Sequence, residues 1–388
     1  MKNLLLLLVV VSACFGLTGC WNKVELTDWG FVQAASLDQE SNGSIRLTAH
    51  IYKPGRPSAS GENTSSGKSF IDIGANGPSL LGSSSLIASE LGRRLQWSHI
   101  RVLLISEELA KSRNIAELLE FFMRNPQTRS NINVMVTQGS AMDYLKIKPF
   151  IENTMGQQLL EIGRVSSSYS GRAVVTTLKN VLITSMEEVS TLSFPYLRLR
   201  PKPNPSVIMN GLAVMGAPSG RVFAIIPRAN TPTVLMLKNQ FNRGTLTIPC
   251  KGSAENKKAS KDSFEITRLR THITPVITRN DELSLRIGIQ IEGTITELVC
   301  NDVSTATEVN EYLKRIRDTV SNDVSDTLRL LQKEQADIIG VGNSICRMHN
   351  RTWKRWGPDW PRRFAETTFS VDVKVVLLNT GTITGKKT

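Results

Sequence analysis

The clearest periodicity in this 388-residue chain lies over residues 283–292, where apolar and polar side chains alternate. The apolar positions are Leu283, Leu285, Ile287, Ile289 and Ile291. Because successive side chains of a β-strand point to opposite faces, this period predicts a strand with one buried and one solvated face. The run FEITRLRTHITPV precedes it and is joined to it by the turn sequence RNDE, which predicts two neighbouring strands.

A long helix and one more strand are predicted to follow. Apolar residues recur every three or four positions at Val309, Leu313, Ile316, Val320, Val324, Leu328 and Leu331. This spacing places one apolar stripe along a helix. Alternation then returns at Phe369, Val371, Val373, Val375 and Leu377. For residues 246–388 we therefore predict a strand–strand–helix–strand domain, in which the long helix covers one face of an antiparallel sheet.

Strand and helix patterns alternate in the first half of the chain. HIRVLLIS and NINVMVTQ are predicted to be buried strands, and NIAELLEFFMRN between them a helix that ends before Pro126. We predict an N-terminal α/β domain over residues 20–200. Four prolines between 195 and 205 are typical of a linker, and residues 206–245 are predicted to form a small middle β unit. The predicted fold class is therefore α+β, in three mixed α/β domains.

The beginning of the chain has the layout of a bacterial lipoprotein signal. Lys2 precedes an apolar run that begins at Leu4, and this run is too short to span a hydrocarbon core about 30 Å thick. It ends in LTGC, which matches a lipobox, where an apolar residue and two small residues precede a cysteine that is acylated. We predict that residues 1–19 are a signal peptide and that Cys20 is the lipid attachment site, since two acyl chains give stable anchoring. The alternative is a plain secretory signal in which Cys20 occurs by chance.

The charge of the chain favours an anionic surface as its neighbour. The formal net charge is +13, or +12 once Lys2 leaves with the signal. Such a protein is attracted to anionic headgroups or wall polymers in a salt-sensitive way. The basic residues are dispersed, and no strand interleaves aromatic with basic side chains, so nucleic-acid binding is not predicted.

No motif for catalysis, cofactor binding or metal binding is complete. GENTSSGKS has five residues between Gly61 and Gly67, where a phosphate-binding loop needs four, and a strand-like run follows it. The four histidines are far apart, and neither a His-x₃-His nor a Cys-x₂-Cys pair occurs. We therefore predict no cofactor, no metal, no catalytic residue and no enzymatic activity.

Three cysteines remain beyond the signal and its anchor, namely Cys250, Cys300 and Cys346. So few cysteines in so long a chain exclude a disulfide framework. One bridge between Cys250 and Cys300, which flank the predicted hairpin, stays open. Buried free thiols are the alternative that we favour.

The segment WKRWGPDWPRRF, residues 353–364, concentrates aromatic and basic side chains. Trp360 and Phe364 are four apart, and we expect them to pack the helical region onto the sheet. Trp353 and Trp356, with Arg355 between them, remain candidates for binding headgroups or a partner protein.

Several motifs together resemble one family. After the lipobox, WNKVEL resembles the opening of the spore-germination receptor C-subunit lipoproteins, the Ger(x)C family. The block from HIRVLLIS to NINVMVTQG, the run MNGLAVM, the turn ADIIGVG and the closing aromatic and valine-rich segment resemble later parts of that family. The matching positions are Arg124, Arg129, Asp337, Gly340, Gly342, Trp360, Phe364, Val371, Val373, Val375 and Gly381. The chain departs from the pattern at Asn125 and Gln127, where acidic residues are common, and at Met215, which replaces a phenylalanine.

This resemblance covers essentially the whole chain and implies a non-enzymatic, three-domain mixed α/β lipoprotein. It implies a place on the outer face of the inner membrane of a spore. It also implies two integral-membrane partners, with which the protein would form a receptor for small nutrient germinants and act in receptor assembly or signal relay.

Two other functions remain as alternatives. A solute-binding lipoprotein of a transporter would have two similar α/β lobes around a hinged cleft. A lipoprotein hydrolase acting on cell-wall material could be built from scattered carboxylates.

Overall fold

The computed structural model describes residues 2–3, 25–53, 69–201, 203–250, 261–278, 280–300 and 303–379. Apart from residues 2–3, the predicted signal peptide lies outside these ranges, as do Cys20, the WNKV of the opening motif, nearly all of GENTSSGKS, and Gly381. No helix in the described ranges is long and apolar enough to cross a bilayer.

The first half of the chain alternates strands and helices, as its sequence pattern predicts. Its strands are β1 Trp29–Gln39, β2 Ile45–Tyr52, β3 Phe70–Ala75, β4 Arg94–Gln96, β5 Val102–Ser106, β6 Asn133–Thr137, β7 Leu192–Arg200, β8 Ser206–Gly216 and β9 Arg221–Pro227. Its helices are α1 Leu80–Leu91, α2 Glu107–Ser112, α3 Ile115–Leu118, α4 Glu120–Arg124, α5 Met142–Leu145, α6 Met155–Ser168, α7 Leu178–Thr184 and α8 Thr231–Leu237. The helix α4 ends before Pro126, as predicted.

These strands form one mixed sheet in the order β3-β2-β1-β5-β6-β7-β8-β9, and β4 pairs beside β1. The strands β1, β5, β6 and β7 run parallel, whereas β2, β3, β8 and β9 join by antiparallel pairing. Alternate residues of the parallel strands bury on opposite faces: Leu103 packs beneath α1–α4 and α7, and Leu104 beneath α5 and α6. The sheet is therefore covered by helices on both sides.

The second half of the chain contains the predicted strands and long helix. Its elements are β10 Gly244–Pro249, β11 Lys261–Ile277, β12 Leu283–Glu297, α9 Ala306–Lys333, α10 Val341–Met348, α11 Asn350–Trp356, α12 Trp360–Glu366 and β13 Thr368–Asn379. The apolar positions Leu285, Ile287, Ile289 and Ile291 are all buried, as their alternation predicts. Thr305 and Glu308 form a capping box that begins α9. Five of the seven predicted stripe residues of α9 are buried, and Tyr312 is buried beside them.

The second sheet is mixed, where an antiparallel sheet was predicted. Its order is β10-β11-β12-β13, and β13 runs parallel to β12 with Ile287 opposite Val371. The long helix α9 and the shorter helices after it return the chain to the starting end of β12. A crossover of this kind makes the next strand parallel, whereas a tight hairpin would make it antiparallel.

The segments predicted as a linker and a separate middle unit continue the first sheet. Pro195 lies within β7, opposite Leu212 of β8, so the proline-rich stretch leads from one strand to its antiparallel neighbour. The strands of 206–245, β8 and β9, extend the nine-stranded sheet and do not form a sheet of their own. The division into domains at residues 20–200, 206–245 and 246–388 stays a prediction.

The helix α8 lies where the cores of the two sheets meet. Leu212 of β8, Leu235 of α8 and Phe264 of β11 belong to one continuous buried cluster. After α8, the side-chain amide of Asn239 exchanges two hydrogen bonds of 2.7 Å with the backbone of Thr271 in β11. The two sheets therefore share apolar packing and polar contacts.

Candidate functional site

The two tryptophans proposed for docking are part of the protein core. Trp353 is 6% exposed and Trp356 is fully buried, because both side chains lie on the buried face of α11. The indole N–H of Trp356 donates to Asp281 Oδ2 at 2.9 Å. Arg355 remains exposed and donates to the other oxygen of Asp281 at 2.8 Å. Of the three open candidates for binding headgroups or a partner, the two rings are therefore buried in the core and only Arg355 is exposed.

The family-like turn ADIIGVG is organised around the buried carboxylate of Asp337. The backbone N–H groups of Gly340, Val341 and Gly342 donate to this carboxylate at 2.9, 3.0 and 2.7 Å. The indole N–H of Trp360 supplies a fourth hydrogen bond of 3.0 Å. Gly340 has a positive φ of 80°, which a glycine adopts without strain. The motif residues thus fix the start of α10 against α12, which is a structural role.

A cleft of about 540 Å³ lies where β1, β5 and β6 end. It is lined by Asp38, Gln39, Glu40, Arg46, Ser106, Glu107, Glu108, Lys111, Gly139, Ser140 and Met142. The carboxyl ends of parallel strands are where open α/β sheets usually bind ligands. The electrostatics of this strand-end cleft therefore bear directly on function.

Asp38 is the most buried acidic group in the strand-end cleft. Its two oxygens accept backbone hydrogen bonds from Ala141 at 2.6 Å and Met142 at 3.0 Å, and the hydroxyl of Ser140 donates at 3.1 Å. Burial raises the pKa of this carboxyl, although these donors oppose the rise. Asp38 thus binds the chain that follows β6 to the end of β1.

Four other charged side chains of the cleft, those of Glu40, Arg46, Glu107 and Lys111, form ion pairs with one another. Glu107 accepts hydrogen bonds from Lys111 and from the hydroxyl of Tyr196. Burial would raise the pKa of Glu107, but these two partners outweigh it and lower the pKa. Arg46 lies 3.5 Å from Glu40. These groups stabilise one another, and the hydroxyl of Ser140, which lies beside the Asp38 carboxylate, belongs to the contact that binds the chain after β6 to the end of β1.

No metal site is found in the described ranges, because no group of three or more histidine, cysteine, aspartate or glutamate side chains is placed to hold a metal ion there.

The arginine pair of the family-like block lies on either side of the turn after α4. Arg124 forms an ion pair of 2.7 Å with Glu120, and Arg129 is exposed. Gln127, at a position where the family often has an acid, accepts a hydrogen bond from the backbone of Trp97 at 3.2 Å. At this position the side-chain amide of Gln127, and not a carboxylate, therefore holds the turn against the backbone of Trp97.

The structure joins Cys250 and Cys300 in a disulfide, with their Cα atoms 5.8 Å apart. The bridge links the end of β10 to the chain that follows β12, on either side of the hairpin. Cys346 is a free, partly buried thiol in α10. The structure thus contains the Cys250–Cys300 bridge, which the sequence left open. The alternative that we favoured, in which both cysteines are free buried thiols, is wrong for this pair.

A short segment between β6 and α6, residues 141–155, has features that sequence reasoning missed. Asp38 fixes its first residues, and the buried ring of His50 accepts a hydrogen bond from the backbone N–H of Met155 at its end. Between these points Phe150 is 65% exposed and Ile151 is 89% exposed. Two adjacent apolar residues after Pro149, in a stretch without strand or helix periodicity, were the available signal. We call Phe150 and Ile151 the apolar tip.

Comparison with known proteins gives matches along most of the chain. Residues 22–199 match the model of the spore germination protein N-terminal domain, and residues 210–381 match that of the spore germination B3/GerAC-like C-terminal domain. Spore germination protein YndF of Bacillus subtilis is 24% identical over 98% of each chain, and spore germination protein B3 of the same organism is 22% identical over 97% of each. The crystal structure of the GerBC protein shares the fold with a TM-score of 0.56 and 16% identity, covering 89% of this chain and 97% of that one.

Proposed function

The chain belongs to the spore germination B3/GerAC-like family, and on that premise we propose that it acts in spore germination as the C subunit of a nutrient-germinant receptor. The observation that carries the proposal is the order and extent of the two family matches, which together run from residue 22 to residue 381. The subunit would assemble with the two integral-membrane subunits of the receptor and support receptor assembly or signal relay.

The sequence LTGC supports attachment to a membrane through acyl chains on Cys20. The compartment would be the outer face of the inner membrane of the spore. Anchoring raises the local concentration of subunits in the same membrane, so weak interfaces suffice to hold a complex together. This suits a protein that works by contact.

A non-enzymatic role agrees with the pairing of Glu107 with Lys111 and of Glu40 with Arg46 in the strand-end cleft. A solute-binding lipoprotein would be expected to consist of two similar lobes. Here one sheet has nine strands and helices on both faces, and the other has four strands and one long covering helix. This difference favours the receptor subunit over the transporter alternative.

The test is crosslinking and co-purification of the native protein from spore membranes. We expect the two integral-membrane subunits to co-purify with the unaltered chain. The Cys20→Ala variant should leave the membrane fraction and support germination poorly. Equal retention of this variant, or a purified complex without the membrane subunits, would contradict the proposal.

Calorimetric titration of the purified protein with amino acids and sugars addresses the transporter alternative. The receptor proposal expects no tight binding by this subunit alone. Tight binding, or turnover of peptidoglycan fragments that is lost when one cleft carboxylate is replaced, would favour one of the other two functions.

A further inference from the structure

The apolar tip is held outward by hydrogen bonds on its own segment. The backbone N–H groups of Phe150 and Ile151 donate to Gln158 Oε1 of α6 at 3.1 and 3.3 Å. Two residues later, the carbonyl of Asn153 accepts a hydrogen bond from the hydroxyl of Ser69. The exposure of two large apolar side chains is therefore a feature of an ordered loop, and it costs solvation free energy unless something covers them.

The apolar tip lies close to the place where the chain enters β1. Ser69 immediately precedes β3 and accepts a hydrogen bond of 2.8 Å from the backbone of Lys53, at the end of β2. The strand β2 pairs antiparallel with residues 32–39 of β1, and Ile51, close to the end of β2, lies opposite Val32, close to the start of β1. Two interstrand spacings, about 10 Å in all, separate β3 from β1, and Asn153 is hydrogen-bonded to Ser69 at the start of β3.

The proposed anchor is near this edge of the sheet. Five peptide steps connect Cys20 to Glu25, the first residue described before β1, and they reach at most about 18 Å. If acyl chains on Cys20 lie in a bilayer, Glu25 must lie within that distance of the headgroups, and the single 3₁₀ turn Leu26–Asp28 joins Glu25 directly to the beginning of β1. The apolar tip is then within reach of the membrane surface.

Exposed basic side chains surround the same edge. They are Lys53 after β2, Arg93 and Arg94 at β4, and Lys148, which precedes the apolar tip by two residues. Arg94 is paired in register with Trp29, the first residue of β1. The acidic side chains of the same region are Glu25, Asp28, Glu90 and Glu152, and no ion pair in the described part of the chain joins any of them to these four bases. A protruding apolar pair beside unpaired bases matches a surface of anionic headgroups above an apolar interior.

We propose that Phe150 and Ile151 insert into the interfacial layer of an anionic bilayer, while Lys53, Arg93, Arg94 and Lys148 meet its headgroups. The loop is a second point of attachment, and it orients the first sheet with the amino-terminal end of β1 toward the membrane. The strand-end cleft then lies at the opposite edge of the sheet and faces away from the bilayer. This inference rests on the lipid anchor proposed at Cys20.

The test places an environment-sensitive fluorophore in the lipidated full-length chain. Ile151→Cys is labelled with a nitrobenzoxadiazole dye in a Cys346→Ser background and reconstituted into vesicles of phosphatidylglycerol and phosphatidylcholine. We expect a blue-shifted emission that spin-labelled lipids quench. The matched control is Met186→Cys, which lies after α7 at a residue that is 76% exposed and should give solvent-like emission without quenching.

Sedimentation of the same samples separates the two proposals. Protein in the supernatant would contradict the anchor, whereas protein in the pellet with solvent-like emission at position 151 would overturn the loop proposal alone. A signal at position 151 that appears only in native membranes with the other subunits would assign the apolar tip to a protein partner and would also overturn it.

A second measurement uses the chain without its anchor. Binding of the Cys20→Ala chain to phosphatidylglycerol vesicles should be weak and salt-sensitive, and Phe150→Ser with Ile151→Ser should lower its partition coefficient at least tenfold. The matched pair Leu182→Ser with Ile183→Ser alters two helix residues of similar type that are 43% and 45% exposed. Equal loss in both pairs would contradict a role for the apolar tip.

Discussion

The imidazole of His50 accepts a hydrogen bond at Nε2 from the backbone N–H of Met155, at 3.0 Å. A backbone N–H can only donate, so Nε2 carries no proton and the neutral ring is protonated at Nδ1. That nitrogen lies 2.6 Å from Asp72 Oδ1 and donates to it. One buried ring thus connects β2, β3 and the first turn of α6, and it fixes the end of the loop that carries the apolar tip.

Replacing this ring should loosen the loop as well as lower stability. His50→Ala removes two hydrogen bonds and leaves a cavity, so we expect a loss of about 3 kcal/mol in the free energy of unfolding. Urea denaturation measures the loss, and hydrogen exchange at residues 150–155 should become faster. The control, His272→Ala, alters an exposed histidine and should change stability by less than about 0.5 kcal/mol. Equal effects of the two variants would contradict a special role for His50.

Replacing the carboxylate of Asp337 by the amide of asparagine should lower the stability of the fold. All four of its partners are N–H donors, so Asp337→Asn would direct an NH₂ group at a donor and leave buried groups unpaired. We expect a loss of about 3 kcal/mol by urea denaturation. Asp326→Asn is the control, because that side chain is 72% exposed and its ion pair with Arg329 is 3.6 Å long. A loss below about 1 kcal/mol for Asp337→Asn would count against this account.

The contact between Tyr196 and Glu107 predicts a pH-dependent stability. Because the pKa of Glu107 is lowered in the folded protein, its contribution is fully present above the ordinary glutamate pKa and is lost as the pH falls through the folded value. Tyr196→Phe removes one hydrogen bond to the carboxylate and should cost about 1–2 kcal/mol at pH 7. The difference from the unaltered chain should shrink between about pH 5 and pH 3.

Urea unfolding across this pH range measures the effect, and Tyr169→Phe, at a residue that is 64% exposed, is the control. A difference that stays constant with pH would mean that the Tyr196 hydroxyl stabilises the fold independently of the charge on Glu107.

The features that sequence could predict are those set by local periodicity. Most of the apolar side chains that alternate over residues 283–292, and most of those in the stripe along α9, are buried as predicted. The period of a strand or helix decides which of its side chains share the face that meets the core. The direction of β13 depends on the path of several helices, and the burial of Trp356 depends on a distant carboxylate at Asp281. The exposure of Ile151 is likewise set by Gln158 and by the fixed ends of its loop. These are tertiary relationships that no short window of sequence contains.

The disulfide between Cys250 and Cys300 predicts a thiol count and a stability change. Denatured protein without reductant should show one reactive thiol, that of Cys346, because Cys20 is proposed to be acylated. The bridge joins residues 50 apart, and replacing both cysteines by serine should cost about 2–4 kcal/mol, since a long loop of the unfolded chain is released. Cys346→Ser, the control, should have a smaller effect. Three reactive thiols before reduction would contradict the bridge.

Two glycines in the second half of the chain should respond in opposite ways to the same added methyl group. A Cβ on Gly342 would lie 2.6 Å from Trp360 Nε1 and 2.6 Å from Val189 Cγ2, and neither the buried indole nor the adjacent valine can move away without disturbing the Asp337 turn. Gly342→Ala should therefore cost about 1–3 kcal/mol. A Cβ on Gly288, in β12, meets nothing within 4 Å, so Gly288→Ala should be neutral or slightly stabilising because alanine restricts the unfolded chain. Urea denaturation measures the free energy of unfolding of both variants. Equal values would mean that Trp360 packs more loosely against α10 than these distances indicate.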